Sequence, residues 1–364
     1  MSGKKIILTG GGTAGHVTAN IALLPGLRER GYEISYIGSY DGIEKALITA
    51  ENVPYYGIAT GKFRRYLSLR NLTDPFRVIK GYFEARALIR KLKPDVLFSK
   101  GGFVAVPVVF AAKHAGIPVV SHESDMTPGL ANRLTLPCVR RVCCNFPETA
   151  ESLPAGKAAY TGSPIRASLL SGDPEEGRRI TGFPKDRPVL MIIGGSLGAV
   201  AVNDMVRKVL PELLREFYIV HICGQKNLDS SLEGTPGYRQ FGYVSQELPH
   251  LYALADLVIS RAGANVICEL LALRKPNILI PLPLSASRGD QILNAQSFEK
   301  QGFSRLLRQE DMTEESLLTA VRETWQDRER YIASMQAADA AGGVEAVLRI
   351  IESCTEKDKE EKKV

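Results

Sequence analysis

The apolar positions of this chain come in short, β-branched runs separated by longer segments with helical periodicity. In the first half the runs cover residues 4–9, 33–37, 95–99 and 117–121. The pattern starts again near residue 188 and continues through runs at 217–222, 257–260 and 277–281. This alternation is typical of βαβ winding. It therefore predicts an α/β fold with two Rossmann-like, doubly wound parallel sheets.

Three of the apolar runs end in a glycine cluster that leads into a helix-like segment. They are Lys4–His16 (KKIILTGGGTAGH), Asp95–Phe103 (DVLFSKGGF) and Pro188–Ala199 (PVLMIIGGSLGA). Glycine lets the backbone approach a phosphate closely, and the N-terminus of the following helix favours negative charge. One such loop fits simple helix packing equally well. Three loops indicate pyrophosphate-bearing ligands in both halves of the chain.

The length of 364 residues suits two domains better than one core. The segment PAGKAAYTGSPIR, at 154–166, is rich in small residues, glycine and proline, which marks a boundary. We predict an N-terminal domain over 1–161, a C-terminal domain over 162–340, and a C-terminal helix with a charged tail over 341–364. Open α/β sheets bind ligands at the carboxyl ends of their strands, so we expect a cleft between the two domains.

Composition and charge narrow the class of protein. The chain has 46 basic and 40 acidic residues, and the basic excess is local, so we expect no nucleic-acid partner. The longest compact apolar run, 103–112, is too short to span a bilayer, and a strand begins where a signal peptide would lie. The six cysteines lack metal-ligand spacing, which favours buried thiols. We therefore expect a cytosolic protein.

Two common phosphate-binding classes fit the glycine loops poorly. A dinucleotide site needs an acidic residue that closes the second strand, and Asp41 lies several residues beyond that strand. No glycine loop is followed by Lys-Ser or Lys-Thr, which excludes a P-loop. Nucleotide sugars remain as ligands that suit a two-domain cleft.

Six motifs, in order along the chain, resemble those of the MurG family, the bacterial lipid-linked N-acetylglucosaminyltransferases of peptidoglycan synthesis. They are GGGTAGH at 10–16, HESDMTPGLAN at 122–132, GSPIR at 162–166, GGSLGA at 194–199, SRAGANVICE at 260–269 and PLPLSASRGDQILN at 281–294. The resemblance implies the two-domain GT-B fold. It also implies inverting transfer of N-acetylglucosamine from UDP-N-acetylglucosamine to the C4 hydroxyl of the muramoyl sugar of lipid I, which gives lipid II.

The resemblance places the donor in the C-terminal domain. Ser196 and Arg166 would bind the UDP phosphates, Val244 would meet the uracil through its backbone, and Arg261 would neutralise leaving-group charge or be structural. The helix that opens at Ala264 would bring Glu269 to the ribose hydroxyls, and Gln291 would select the hexosamine. The remaining implied donor-binding residues are Thr13, Ala14, Gly15 and Asn265.

The resemblance places the acceptor in the N-terminal domain, at Gly12, Gly15, Gly101, Gly102 and Asn132. An inverting transfer needs a base for the acceptor hydroxyl, and a histidine pKa near neutrality suits that task. His16 is the implied base; alternatively it only caps or positions the first loop. Glu123 and Asp125 are rival bases.

The chain departs from the family pattern at two motifs. HESD stands where many members have HEQN, so Asp125 replaces an asparagine expected to touch the donor sugar. A carboxylate only accepts hydrogen bonds, whereas an amide also donates, which puts that contact in doubt. GGTAG replaces GGTGG, and Ala14 restricts a backbone angle that glycine permits.

No DxD triplet, the usual metal clamp of nucleotide-sugar enzymes, occurs in the chain. We therefore expect no metal and no cofactor, and we expect helix dipoles, Arg166 and Ser196 to carry the leaving-group charge.

A basic segment with apolar side chains, 62–93, contains ten Lys or Arg residues and two acidic ones. Such a segment suits an anionic membrane surface, although a solvated helix with its apolar side in the core fits equally. The expected membrane residues are Arg64, Arg65, Phe76, Lys80 and Phe83. With a lipid-linked acceptor, they predict peripheral attachment to the cytoplasmic face of the cell membrane, where cell-wall synthesis proteins are possible partners.

Two other functions remain open at this point. The same fold could serve a glycosyltransferase with another lipid or small-molecule acceptor. It could also serve a nucleotide-sugar-binding protein without turnover.

Overall fold

A computed structural model of the chain describes residues 3–61, 70–194, 199–338 and 343–361. The chain forms two compact units, Met1–Arg166 with Gly342–Val364, and Ala167–Ala341. The units divide a few residues after the 161/162 boundary suggested by the sequence. The C-terminal segment belongs to the first unit. We describe each unit by itself.

Seven parallel strands form the sheet of the first unit. They are β1 (Lys4–Thr9), β2 (Tyr32–Ser39), β3 (Tyr55–Ile58), β4 (Val96–Ser99), β5 (Val119–Glu123), β6 (Arg141–Cys144) and β7 (Ala158–Tyr160). Their order is β3-β2-β1-β4-β5-β6-β7. The helices are α1 (Ala14–Glu29), α2 (Ile43–Ala50), α3 (Arg70–Leu92), α4 (Ala105–His114), α5 (Leu130–Thr135) and α6 (Pro147–Ser152). The predicted parallel winding is confirmed.

The second unit repeats this winding. Its strands are β8 (Val189–Ile193), β9 (Tyr218–Ile222), β10 (Tyr238–Phe241), β11 (Leu257–Ser260), β12 (Asn277–Leu279) and β13 (Arg305–Leu306), in the order β10-β9-β8-β11-β12-β13. Its helices are α7 (Ala167–Leu170), α8 (Pro174–Thr181), α9 (Val200–Lys208), α10 (Leu210–Glu216), α11 (Leu248–Leu254), α12 (Ala264–Ala272), α13 (Asp290–Lys300), α14 (Glu314–Gln326) and α15 (Arg328–Ala337). All its strand pairs are parallel.

The last helix, α16 (Gly343–Glu361), returns the chain to the first unit. Its buried residues Val347, Leu348 and Ile351 join a core cluster made by β1, β2 and α1. Arg30, directly after α1, anchors it with ion pairs to Glu345 at 2.7 Å and to Glu352 at 3.3 Å. The C-terminal helix therefore stabilises the first sheet by apolar burial.

Three neighbouring strands at the centre of each sheet position the loops of interest. These are β1, β4 and β5 in the first unit, and β8, β11 and β12 in the second. Their carboxyl ends meet at one edge because the strands are parallel. The loops that follow them contain most of the residues selected from the sequence.

Candidate active site

In the first unit, the loops after β1, β4 and β5 are in contact. A methyl group added at Gly102 would lie 2.4 Å from the carbonyl oxygen of Gly11 and 3.1 Å from Nδ1 of His16. A methyl group at Gly101 would lie 2.6 Å from Oδ1 of Asn132. The fold thus brings together the glycines, histidine and asparagine that the sequence pointed to.

The backbone of these loops needs glycine. Gly12, Gly101 and Gly102 have φ angles of +87°, +85° and +80°, in the left-handed region that side chains disfavour. There is also no room for a side chain at Gly12, because an added methyl group would lie 2.6 Å from the Phe103 ring. The glycines therefore allow close packing of the loops as well as the approach of a ligand.

His16 lies in the first turn of α1 and is only partly exposed. Its Nδ1 is 2.9 Å from the carbonyl oxygen of Gly11. A carbonyl can only accept, so Nδ1 carries the proton and Nε2 has the lone pair. Burial lowers the pKa of His16 below its ordinary value, and the bond to Gly11 opposes that shift. His16 is therefore a neutral ring with a defined tautomer, as a general base requires.

The carboxylate of Glu123, at the end of β5, has its acceptor sites occupied. Oε1 accepts from the backbone N–H of Ser124 at 2.8 Å and of Asp125 at 3.1 Å. Oε2 accepts from the N–H of Gly129 at 3.0 Å and from Nδ2 of Asn132 at 2.7 Å. Burial raises its pKa, and these hydrogen bonds oppose the rise. The geometry favours an organiser of the 123–132 loop over a base.

Asp125 and Asn132 belong to the same loop. Asp125 is partly exposed, and its charge acts on His16. Asn132 donates from Nδ2 to Glu123 and, at 3.3 Å, to the carbonyl of His122. Its buried Oδ1 has no hydrogen-bond donor in the structure. Asn132 therefore offers an acceptor beside Gly101.

Sequence reasoning missed a buried cation in this site. Lys100, directly after β4, is only 1% exposed. Its Nζ lies 2.8 Å from Nδ1 of the buried His122 and contacts Oγ of Ser124. The available signal was a lysine directly before two glycines, at the end of an apolar run.

In the second unit, Arg261 follows β11, and its guanidinium group forms hydrogen bonds with other residues of the unit. Its Nη1 donates to the carbonyls of Ile280 at 3.0 Å and Pro281 at 3.2 Å. Its Nη2 donates to Oε1 of Gln309 at 2.7 Å. Burial lowers its pKa. These contacts favour the structural alternative for Arg261, which joins the loops after β11 and β12.

Other residues predicted to bind the sugar donor lie around these two loops. Ala264 is the first residue of α12, with Asn265 beside it, and Glu269 lies one turn further along. Oδ1 of Asn265 is buried without a hydrogen-bond donor. Gln291, on α13, accepts from the N–H of Leu282 at 3.1 Å. Its amide group is therefore oriented and keeps its N–H donors for a ligand.

Val244 lies three residues after β10 and is buried. Arg166 is the last residue of the N-terminal segment of the first unit and is partly exposed. Thr13 is the exposed N-cap position of α1, which contains Ala14 and Gly15 in its first turn. Ser196 lies outside the described residues, so its predicted phosphate contact stays a prediction.

Two expected membrane residues, Arg64 and Arg65, also lie outside the described residues. Phe76 and Phe83 on α3 are 74% and 58% exposed, and Ile79 between them is 54% exposed. Lys80 is exposed on the same helix, 3.7 Å from Glu84. Within the described part of the chain, no helix is long and apolar enough to cross a membrane.

Comparison with known proteins places both units in one family. Residues 6–144 match the N-terminal domain of glycosyltransferase family 28, and residues 189–350 match its C-terminal domain.

Curated relatives match nearly the whole chain. The UDP-N-acetylglucosamine–N-acetylmuramyl-(pentapeptide) pyrophosphoryl-undecaprenol N-acetylglucosamine transferase of Lachnospira eligens is 58% identical over 348 residues, which are 96% of this chain and 98% of the relative. The Clostridium perfringens enzyme of the same name is 56% identical over 351 residues, with the same coverage.

Among solved structures, Acinetobacter baumannii MurG is 28% identical, with a TM-score of 0.77, and the match covers 96% of this chain and 99% of that one. The resemblance found in the six motifs is thus confirmed, as is the two-domain α/β fold of GT-B glycosyltransferases. The chain belongs to glycosyltransferase family 28 and, within it, to the MurG family of hexosyltransferases.

Proposed function

We propose that this enzyme transfers N-acetylglucosamine from UDP-N-acetylglucosamine to the C4 hydroxyl of the muramoyl sugar of lipid I, with inversion, and so forms lipid II. The relatives carry the names of this donor and acceptor, at up to 58% identity. The observation that carries the mechanism is the bond from His16 Nδ1 to the Gly11 carbonyl, which leaves Nε2 unprotonated.

In the proposed reaction, Nε2 of His16 removes the proton from the acceptor hydroxyl. The hydroxyl oxygen forms a bond to C1 of the sugar, and the bond from C1 to the UDP oxygen breaks, with its electron pair leaving on UDP. General base catalysis of this kind contributes on the order of 10²–10⁴-fold in rate. The depressed pKa of His16 keeps the ring unprotonated near neutral pH. The glycine loops at Gly12, Gly101 and Gly102 would hold the acceptor pyrophosphate.

The donor would bind the second unit. The N-terminus of α12 offers backbone N–H groups, and Gln291 offers oriented amide donors. Glu269 would accept from the ribose hydroxyls. Arg166, Ser196 and helix dipoles would carry the charge that develops on UDP, so the proposed transfer uses no metal ion.

The direct test incubates the purified protein with UDP-N-acetylglucosamine and a short-chain lipid I analogue in EDTA. We expect UDP and a β-linked disaccharide only when the acceptor is present. If UDP is released only with a different acceptor, that acceptor and not lipid I is the substrate. Donor binding without turnover under every condition would indicate a nucleotide-sugar-binding protein instead.

We also propose that the enzyme attaches peripherally to the anionic cytoplasmic face of the cell membrane through α3. The support is the exposure of Phe76, Ile79 and Phe83, which lie three and four positions apart and so share one face of the helix. Exposed apolar side chains beside basic ones are typical of interfacial helices.

Co-sedimentation with vesicles that contain anionic lipid tests this attachment. We expect Phe76→Ser with Phe83→Ser to weaken it, and high salt to abolish it. The matched control is Leu228→Ser, which changes a residue that is 44% exposed in the second unit. Equal sedimentation with neutral vesicles would contradict the proposal.

A further inference from the structure

We propose that Lys100 is a positioning residue for the transfer: its buried ammonium group fixes the His122 ring between Gly162 and the loop after β4 (residues 100–103), which packs against the proposed base His16. This inference rests on the proposed function, since it concerns the same base.

The hydrogen-bond directions in this cluster are determined by chemistry. Nε2 of His122 lies 3.1 Å from the carbonyl oxygen of Gly162, which can only accept. Nε2 therefore carries the proton, and Nδ1 has the lone pair that accepts from Lys100 at 2.8 Å. An ammonium group can only donate, so the contacts of Nδ1 and of Nε2 both require the same tautomer.

The cluster connects three parts of the first unit. Lys100 directly precedes Gly101 and Gly102, which face Asn132 and His16. His122 lies on β5, and its bond to Gly162 reaches the segment that carries Arg166. Lys100 and His122 together thus connect the loop after β4, the strand with the HESD motif and the segment at 162–166.

The charge of Lys100 also has an electrostatic effect. Desolvation is the main cause of the low pKa of both His16 and His122, and the Lys100 charge lowers both further. The other groups that act on His16 are Asp125 after β5 and Glu44 on α2, which raise its pKa, and His122 is the neighbouring imidazole. The Lys100 charge opposes these two carboxylates. Its charge therefore favours the neutral, basic form of His16.

The test compares Lys100→Met with Lys100→Gln, which removes the charge but keeps a donor for His122. In both variants the pKa of His16 should rise, so the acidic limb of the kcat/KM profile should move to higher pH. We expect the loss of kcat/KM to be larger at pH 6 than at pH 8, because more of the His16 ring is protonated at the lower pH.

The matched control is Lys275→Met in the second unit. Lys275 is largely buried and donates to the carbonyls of Ala253 and Ala255 at 3.3 Å and 2.7 Å. This variant should lose stability without any shift in the pH profile. An acidic limb that stays at the same pH in both Lys100 variants would overturn the proposal. If Lys100→Met does not fold, the pH profile of Lys100→Gln alone is the test.

Nuclear magnetic resonance of ¹⁵N-histidine provides a readout that does not depend on turnover. The chain has only five histidines, so each ring can be assigned. We expect His122 to keep its Nε2–H tautomer from pH 5 to 8 in the wild type, and His16 to titrate at higher pH in both Lys100 variants. Unchanged His16 titration would overturn this proposal alone, whereas absent turnover with normal spectra would count against the proposed function alone.

Discussion

The two units wind their central strands in the same order, but they join the loops at the strand ends by different means. In the first unit, the buried side chain of Lys100, after β4, contacts His122 and Ser124 at the end of β5, while Glu123 holds the 123–132 loop together. In the second unit, Arg261 connects them by donating to the backbone carbonyls of Ile280 and Pro281.

This difference is consistent with the proposed division of the chemistry between the units. In the first unit the bond from Nδ1 of His16 to Gly11 leaves Nε2 as an acceptor, the proposed base. In the second, Arg261 occupies backbone carbonyl acceptors, while the start of α12 offers backbone N–H groups and Gln291 offers its amide N–H groups. A shared topology therefore places the loops, and the side chains that join them differ between the units, as the proposed division into a base and a donor-binding site requires.

The largest expected effect is at His16. His16→Ala should lower kcat on the order of 10²-fold or more, because it removes the proposed base. UDP-N-acetylglucosamine binding should stay close to wild type by calorimetry, since the proposed donor contacts are mainly in the second unit. His114→Ala, which changes an exposed histidine of the same unit, is the control. Full activity of His16→Ala would leave Asp125 as the base to test next.

Glycine replacements test the close contact of the acceptor loops. Gly102 and Gly116 both have positive φ, +80° and +72°, but only Gly102 has atoms within 4 Å of an added methyl group. Gly116→Ala should cost about 1–2 kcal/mol in unfolding free energy from backbone strain. Gly102→Ala should cost about 1–3 kcal/mol more because of overpacking, and it should also displace His16. Urea denaturation measures both, and equal losses would contradict the proposed contact.

Buried histidines make the stability of both units depend on pH. His221 in the second unit binds Tyr238 and Asn203, and burial lowers its pKa to about 3. The pKa of His122 also lies well below its ordinary value.

Both rings stay neutral in the folded state, while the unfolded chain takes up protons below the ordinary histidine pKa. The unfolding free energy should therefore fall between pH 7 and pH 5, by up to about 1.4 kcal/mol per pH unit for each ring. His221→Gln should reduce the slope for the second unit, as followed by urea denaturation at each pH. An unchanged slope would show that His221 does not stay neutral.

The smallest expected effect is at Arg261. Arg261→Lys loses the forked contact to Gln309 and the carbonyls, which should cost about 1 kcal/mol in stability. The structural interpretation predicts a kcat close to wild type in steady-state assays. A large fall in kcat with normal stability would instead support a role at the leaving group.

Most of the fold could be predicted from the sequence. The predicted runs correspond to strands such as β1, β9 and β11, because buried parallel strands are continuous apolar segments. The strands β3, β7 and β13, of four, three and two residues, were not predicted. They are too short to show the alternation of apolar and polar residues that is typical of a strand, and pairing with neighbouring strands stabilises them.

The site was predictable only in part, because a motif identifies residues but not their partners. Glu123 was a rival base by sequence, and its carboxylate proves to accept from three backbone N–H groups and Asn132. Lys100 was not selected at all, because only folding brings it to His122 across neighbouring strands.

The sequence by itself determined the two doubly wound sheets, the glycine positions at the strand ends and, through its motifs, the family. These are local properties, set by the apolar period and by the backbone angles that glycine permits. The tertiary structure decided which side chains meet: the tautomers of His16 and His122, the occupied carboxylate of Glu123 and the docking of α16 on the first unit. Such contacts join residues far apart in the chain, and the desolvation that shifts the histidine pKa values exists only after the loops have packed.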